Sequence, residues 1–519
     1  MYHRRVRTGT LPSRALLALG LAAVLLGFAL PRIAWGGQQF ILRVSVSSDG
    51  TRGNASSLSP AVSADAMFIA FASDASNLVS NDTNGTRDVF VRDALGGTTE
   101  LVSMADNGAQ ANRFALSPAI SGDGRYVVFH SDADTLVSND TNDASDIFLR
   151  DRLTGTTERL SVSSDGAQGN SDSVTASISA DGRYVTFTSL ASNLVADDGN
   201  EDRDVFVHDR LTGATELASV ASDGTRGDFN SGGLGAGPAR ISADGRFIVF
   251  GSFARNLVPD DTNGLDDIFV HDRTAGVTER VSMATDGTEG NGHSVYGSIS
   301  DDGRYVVFAS LADNLTPGDT NVANDIFLRD RQENTTIRLS EGPGGAGGNG
   351  ASRFPVISGN GQVVAFQSDA SNLVPNDTNG ASDIFLYFVE TEELERVSGA
   401  LDGSQSDGAS SFVAVSGDGS VVAFESLAAN LVSGDTNDVS DVFARVRSSA
   451  PLPGAIGDVN CDGTTNSIDA TLILQLDAGL IDALPCQGAA DVNQDGAIDV
   501  IDALLLLQFS AGLLPGLPP

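Results

Sequence analysis

Lysine is absent from this chain, and cysteine, tryptophan and histidine are scarce. Its 31 basic residues are all Arg, set against 68 Asp and Glu, for a formal net charge of −37. A surface so acidic repels phosphate backbones, which excludes nucleic-acid binding and makes divalent cations the natural partners. The four histidines beyond residue 36 are His130, His208, His271 and His293. None stands beside a serine elbow or in a zinc-type pair, so acyl transfer has no visible support. His208 and His271 take the repeat position of Arg150 and Arg329 and read as solvated strand residues. After the first thirty residues no run is apolar enough to span a membrane.

The start of the chain is different in kind. Arg4, Arg5, Arg7 and Arg14 precede an apolar run from Ala15 to Leu30, and Ala34-Trp35-Gly36 follows. A basic head, a short apolar body and a small-residue cleavage site read as a secretory signal over residues 1–36. The expectation is a mature protein that is secreted or at the cell surface. Only Cys461 and Cys486 are present. In an oxidising compartment such a pair reads as a disulfide.

With 519 residues, 41% of them hydrophobic, at least two domains are expected. The middle of the chain repeats. Asp88, Asp146, Asp204, Asp267, Asp325, Asp383 and Asp441 each precede Ile-Phe or Val-Phe, at spacings of 58, 58, 63, 58, 58 and 58. In the second copy, "PAIS" and "RYVVFHS" are β-rich runs joined by Asp123-Gly124, a dipeptide suited to the positive φ angles of a tight hairpin. "DIFLRD" and "TERLSV" then alternate apolar and polar residues as two outer strands. Four strands repeated seven times predict a mainly β fold, a seven-bladed β-propeller of four-stranded antiparallel blades over residues 40–447. A lone strand, Ile41 to Val46, opens the array, and "DVFARV" ends it at Val446 without an outer partner. Together these halves complete one blade and close the ring.

The strings "ISADGRYVVF" and "DIFLRDRLTG" resemble TolB-like, WD-like propeller repeats of exported bacterial proteins. That resemblance implies the fold; propellers of this kind serve as binding platforms, enzyme accessories and enzymes. Each repeat also carries a loop of the form Asp-Thr-Asn-x-x-x-Asp, as in Asp82, Asn84 and Asp88, with Gly199 replacing Thr in the third copy. Oxygen atoms at positions 1, 3 and 7 suit a hard cation, and the same residues organise turns by bonding backbone amides two residues on. Both readings stand for these loops. The fourth repeat alone has an insertion, "GDFNSGGLGAGPAR", and its Arg240 fills a slot held elsewhere by Ala61, Ala119, Ser177, Ser298, Val356 and Ala414. On an inner strand lining the central channel, Arg240 would present a cation to an acidic glycan or peptide ligand.

A Pro-rich linker, residues 448–457, precedes a second repeat of 33 residues. Asp458, Asn460, Asp462 and Asp469 correspond to Asp491, Asn493, Asp495 and Asp502, each copy reading Asp-x-Asn-x-Asp-Gly with Asp at position 12. That spacing places oxygen ligands around a calcium ion, with backbone carbonyls from Thr464 and Ala497 at position 7, and Asn466 and Asp499 acting through water. Apolar helices follow both loops, with Leu472 matched to Leu505 and Leu476 to Phe509. None precedes the first loop, where "GAIG" stands.

Loop then helix, twice, resembles the dockerin family, type I-like, over residues 458–514, a small all-α calcium-binding domain. The resemblance implies two Ca2+ ions and docking onto a cohesin-bearing partner, with loop positions 10 and 11, here Ser467, Ile468, Val500 and Ile501, contributing to recognition. A purely structural calcium-stabilised cap is the alternative. With nine Asp and no basic residue between 458 and 502, the module's fold is expected to depend on the metal. The whole reads as a non-enzymatic binding or scaffold protein; the alternative is a polysaccharide lyase or glycosidase of propeller fold. Because the carboxylates sit at regular repeat positions, none stands out as an acid and base pair.

Overall fold

The computed structural model describes residues 39–447 except 197, 234 and 438, and in the C-terminal module residues 459, 467–477, 490–493, 498–510 and 514. The signal segment 1–36, the linker 448–457, Cys461 and Cys486 lie outside the described residues.

Seven four-stranded antiparallel sheets follow one another along the chain, as the spacing predicts. Blades one to seven are anchored on Asp88, Asp146, Asp204, Asp267, Asp325, Asp383 and Asp441 in turn. The seventh is completed by the first strand, Gln39–Arg43, which pairs antiparallel with Asp441–Arg447 in the register Phe40↔Val446 and Leu42↔Ala444. The strand ends at Arg43, ahead of the expected Val46, although Val44 still donates its amide to Val442 O at 2.8 Å.

Period-2 alternation places one Phe from each of the two middle strands on the same face of every blade. Phe187 and Phe206 are register partners with centroids 5.8 Å apart, and all seven blades repeat the pair, up to Phe424 and Phe443 at 6.2 Å. Twelve of these fourteen rings are among the largest fully buried side chains. Arginines staple neighbouring blades: Arg210 lies 4.3 Å over the Tyr126 ring and 2.7 Å from Glu158 Oε1, both in the preceding blade. Gly182 takes φ 73° at the same contact, where an added Cβ would stand 2.2 Å from the Tyr126 ring, so no other residue fits.

Two expectations need correction. In the Asp-Gly hairpins only the glycine is left-handed, as at Gly124 with φ 70°. Asp123 instead accepts the Ser121 hydroxyl at 2.7 Å and the Arg125 amide at 3.0 Å, which holds it in ordinary φ. His208 and His271 are not solvated. They are buried, with Nδ1 against the hydroxyls of Thr215 at 2.9 Å and Thr278 at 2.8 Å, and burial pushes both imidazoles below their usual pKa.

The C-terminal module holds two helices, α1 (Ser467–Asp477) and α2 (Val500–Ser510). Its core is paired at the 33-residue offset: Val459 with Val492, Ala470 with Ala503, Ile473 with Leu506. Leu472, Leu476 and Leu505 pack at its edge.

Candidate functional site

In the C-terminal module the two position-12 aspartates do the same thing. Asp469 and Asp502 are fully buried at the first turns of α1 and α2. Asp469 Oδ1 accepts the Val459 amide at 3.0 Å, and Asp502 Oδ1 accepts the Val492 amide at 2.7 Å and that of Asn493 at 3.1 Å. Asp502 Oδ2 takes the Asp499 amide at 2.9 Å. Each carboxylate thus ties the start of its loop to the start of its helix. Asp499, expected to act through water, caps α2 by accepting the Ile501 amide at 2.7 Å. The donor set is oxygen only and the module has no basic residue. Buried carboxylates in such a setting call for a hard cation, and the residues fit calcium. Asp491 and Asn493 are described, whereas Asp458, Asn460, Asp462, Thr464, Asp495 and Ala497 are not. Val500 and Ile501 are exposed, and with Leu504 and Leu507 they form an apolar stripe along α2. Leu474 is the exposed α1 counterpart of Leu507. The side chains of Ser467 and Ile468 lie outside the described ones.

The Asp-Thr-Asn loops of the propeller are built as turns. Asn142 Oδ1 accepts the Ala144 amide at 3.1 Å, while its Nδ2 donates to Asp146 at 3.2 Å and to Gly169 O at 2.9 Å. The first and last aspartates of each motif face a shared pocket. Burial pushes Asp88, Asp204, Asp261 and Asp325 up to about 6. In six of the seven blades an arginine reaches that pocket: Arg396, for instance, is 2.9 Å from Asp377 and 3.5 Å from Asp383.

The inner strands enclose a channel of about 390 Å3, and all seven slot residues, Arg240 included, line it. Arg240 is the single charged side chain among the described lining residues. Burial pushes its guanidinium down, and no described carboxylate pairs with it. Its blade has the insertion in place of a full inner strand, which is reduced to Arg240–Ile241.

Sequence reasoning missed a second feature of this channel. Two residues before each slot stand Ser59, Ser117, Thr175, Pro238, Tyr296, Phe354 and Phe412, all lining the channel. Six of them, all but Pro238, have φ between 43° and 60°, at a register shift in the inner strand. Such bulges re-aim side chains. One arc of the channel is therefore hydroxylic and the other aromatic, with Tyr296 and Phe354 centroids 4.6 Å apart and Phe354 and Phe412 stacked at 4.8 Å. Reading that repeat column down the sequence would have revealed it.

The four-stranded blades, seven in number and closed by the first strand, make the chain a β-propeller protein. Solved structures similar to it include TolB from Acinetobacter baumannii, 18% identical over 59% of this chain and 58% of that chain, with a TM-score of 0.35. The β-propeller domain of the Trilobed protease from Pyrococcus furiosus is 11% identical over 75% of this chain and 95% of its own, with a TM-score of 0.46. An oligogalacturonate lyase from Vibrio parahaemolyticus is 11% identical over 80% and 99%, with a TM-score of 0.46. No curated protein matches. The family model for the dockerin type I domain matches residues 456–509, so this propeller carries a dockerin type I domain at its C-terminal end. No helix of the described residues is long and apolar enough to cross a membrane.

Proposed function

We propose that this chain is an exported, non-enzymatic binding protein that holds an anionic ligand in its propeller channel and docks through its dockerin domain onto a cohesin-bearing partner. The observation that carries the docking half is the twofold repetition of one closure, Asp469 on Val459 and Asp502 on Val492, each at the foot of a helix. Two calcium ions, held by the loops beginning at Asp458 and Asp491, would neutralise those carboxylates and make binding energy into folding energy. Val500 and Ile501, at the loop positions that contribute to recognition in dockerins, continue into the exposed Leu504 and Leu507, and this apolar stripe offers a partner a surface.

For the propeller, the unpaired Arg240 beside an aromatic arc suits a ligand with one apolar face and one carboxylate, such as a uronate residue or a peptide C-terminus. No acid is found among the described lining residues, which favours binding over the two-carboxylate chemistry of glycoside hydrolysis. The test of the docking half is capture of the full chain on immobilised type I cohesins. Retention in calcium and release by chelator is expected. Retention unaffected by chelator, or no retention on any cohesin, would defeat the assembly role and leave a calcium-stabilised cap.

A further inference from the structure

The seven Asp-Thr-Asn pockets serve as one another's controls. In the second, fifth, sixth and seventh blades a single arginine contacts both carboxylates: Arg159 is 3.4 Å from Asp140 and 3.6 Å from Asp146, Arg338 is 3.2 Å from Asp319 and 3.8 Å from Asp325, and Arg43 is 2.6 Å from Asp435 and 3.8 Å from Asp441. Arg396 does the same in the sixth blade. In the third blade the outer-strand position of these arginines is Leu217, and Arg226 from the neighbouring loop replaces it, 3.3 Å from Asp198. In the fourth, Arg280 lies 3.7 Å from both Asp261 and Asp267, with Glu289 joining them. Six pockets thus contain a guanidinium cation.

The first blade breaks the rule twice. Leu101 stands at the outer-strand position and Gln110 at the position of Arg226. Asp88 is wholly buried, and among the described residues its Oδ1 and Oδ2 accept only from Ser103 Oγ at 2.6 Å and Asn84 Nδ2 at 2.7 Å. Asp82 Oδ1 is fully buried with no hydrogen-bond partner among the described residues. Neither carboxylate has an ion-pair partner among the described residues, and the charge of Asp82 adds to the cost of ionising the buried Asp88. A buried carboxylate oxygen with nothing opposite it is expensive, and in every sister pocket a positive charge removes that cost.

We infer that the first blade holds a hard divalent cation, calcium or magnesium, between Asp82 and Asp88, in the place that arginine takes in the other six. Oxygen-only donors and a fixed, pre-built loop favour such an ion over a softer metal. The pocket of the fourth blade, though richer in acids, is already occupied by Arg280 and is not such a site.

The experiment counts calcium ions bound per full-length chain at saturation, by equilibrium dialysis with metal analysis, for the wild type and for Leu101→Arg. The substitution installs the arginine that five sister blades carry at the matching outer-strand position, so the fold has room for it. The wild type is expected to bind one ion more than Leu101→Arg, and calcium is expected to raise the melting temperature of the propeller in the wild type only. Asp82→Asn, which removes a ligand charge and keeps the shape, is expected to lose the same ion and decides the matter if Leu101→Arg does not fold. Equal ion counts in the wild type and a folded variant would overturn the inference and leave a proton on Asp88 as the neutralising charge.

Discussion

Asp502 and Val492 are joined by a 2.7 Å hydrogen bond from backbone amide to buried carboxylate, and 33 residues earlier Asp469 and Val459 are joined in the same way at 3.0 Å. The closing residue of each loop is therefore a structural tie at the position proposed to bind calcium. Asp502→Ala removes three amide contacts as well as a proposed calcium ligand. Hydrogen bonds to a charged group contribute about 1.5–3 kcal/mol each. The expected result is loss of one bound calcium ion and unfolding of the α2 region, seen as loss of amide protection over 498–510. Asp502→Asn, whose single carbonyl oxygen can still accept the Val492 and Asn493 amides but not that of Asp499, should retain more structure than Asp502→Ala.

The propeller should be more stable in mild acid than at neutral pH. Asp88, Asp204, Asp261 and Asp325 have folded-state pKa values pushed up by burial to about 6. A carboxyl group whose folded pKa is raised binds its proton more tightly when folded, so stability falls as pH rises from about 4 to about 6 and stays lower above that. In the opposite direction, Asp151 and Asp209 are held well below the usual carboxylate range by Arg125 and Arg183, and their contribution is lost only in stronger acid. A chelated sample is expected to melt at a higher temperature at pH 5.5 than at pH 7.5. A melting temperature that rises with pH across this interval would contradict the burial account.

In the channel, Arg240 and the aromatic arc make separable contributions. For an acidic oligosaccharide or peptide found to bind, Arg240→Ala should weaken affinity by about tenfold or more and remove its salt dependence, as loss of a charge-assisted hydrogen bond of about 1.5–3 kcal/mol implies. Phe354→Ala should weaken binding while leaving the salt dependence in place. If Arg240→Ala left affinity for every acidic ligand unchanged, the channel assignment would fail.

Much of this was legible in the sequence because a propeller writes its fold as a period. The 58-residue spacing, the phase of the first strand and the Phe pairs are one-dimensional signals, and the ring follows from them. The paired helices and core of the C-terminal module are legible for the same reason, through a 33-residue period. What escaped depends on neighbours that the period does not bring together. Whether His208 is solvated depends on the loop and strand packed over it, and Thr215 supplies its partner. Asn437 donates to Gly53 O across 384 residues, a contact made only by closure of the ring. The missing arginine at Leu101 was readable as a letter, but its meaning required knowing that Arg159 reaches two aspartates in the neighbouring blade.

Calcium-dependent order in the C-terminal module is the claim on which the assembly role rests, and hydrogen exchange on the full chain with and without chelator measures it directly. The account predicts that amides over 467–477 and 498–510 are protected in calcium and exchange freely after chelation, while the core strands of the second to seventh blades are unchanged. Equal protection of both helices in excess chelator would contradict it.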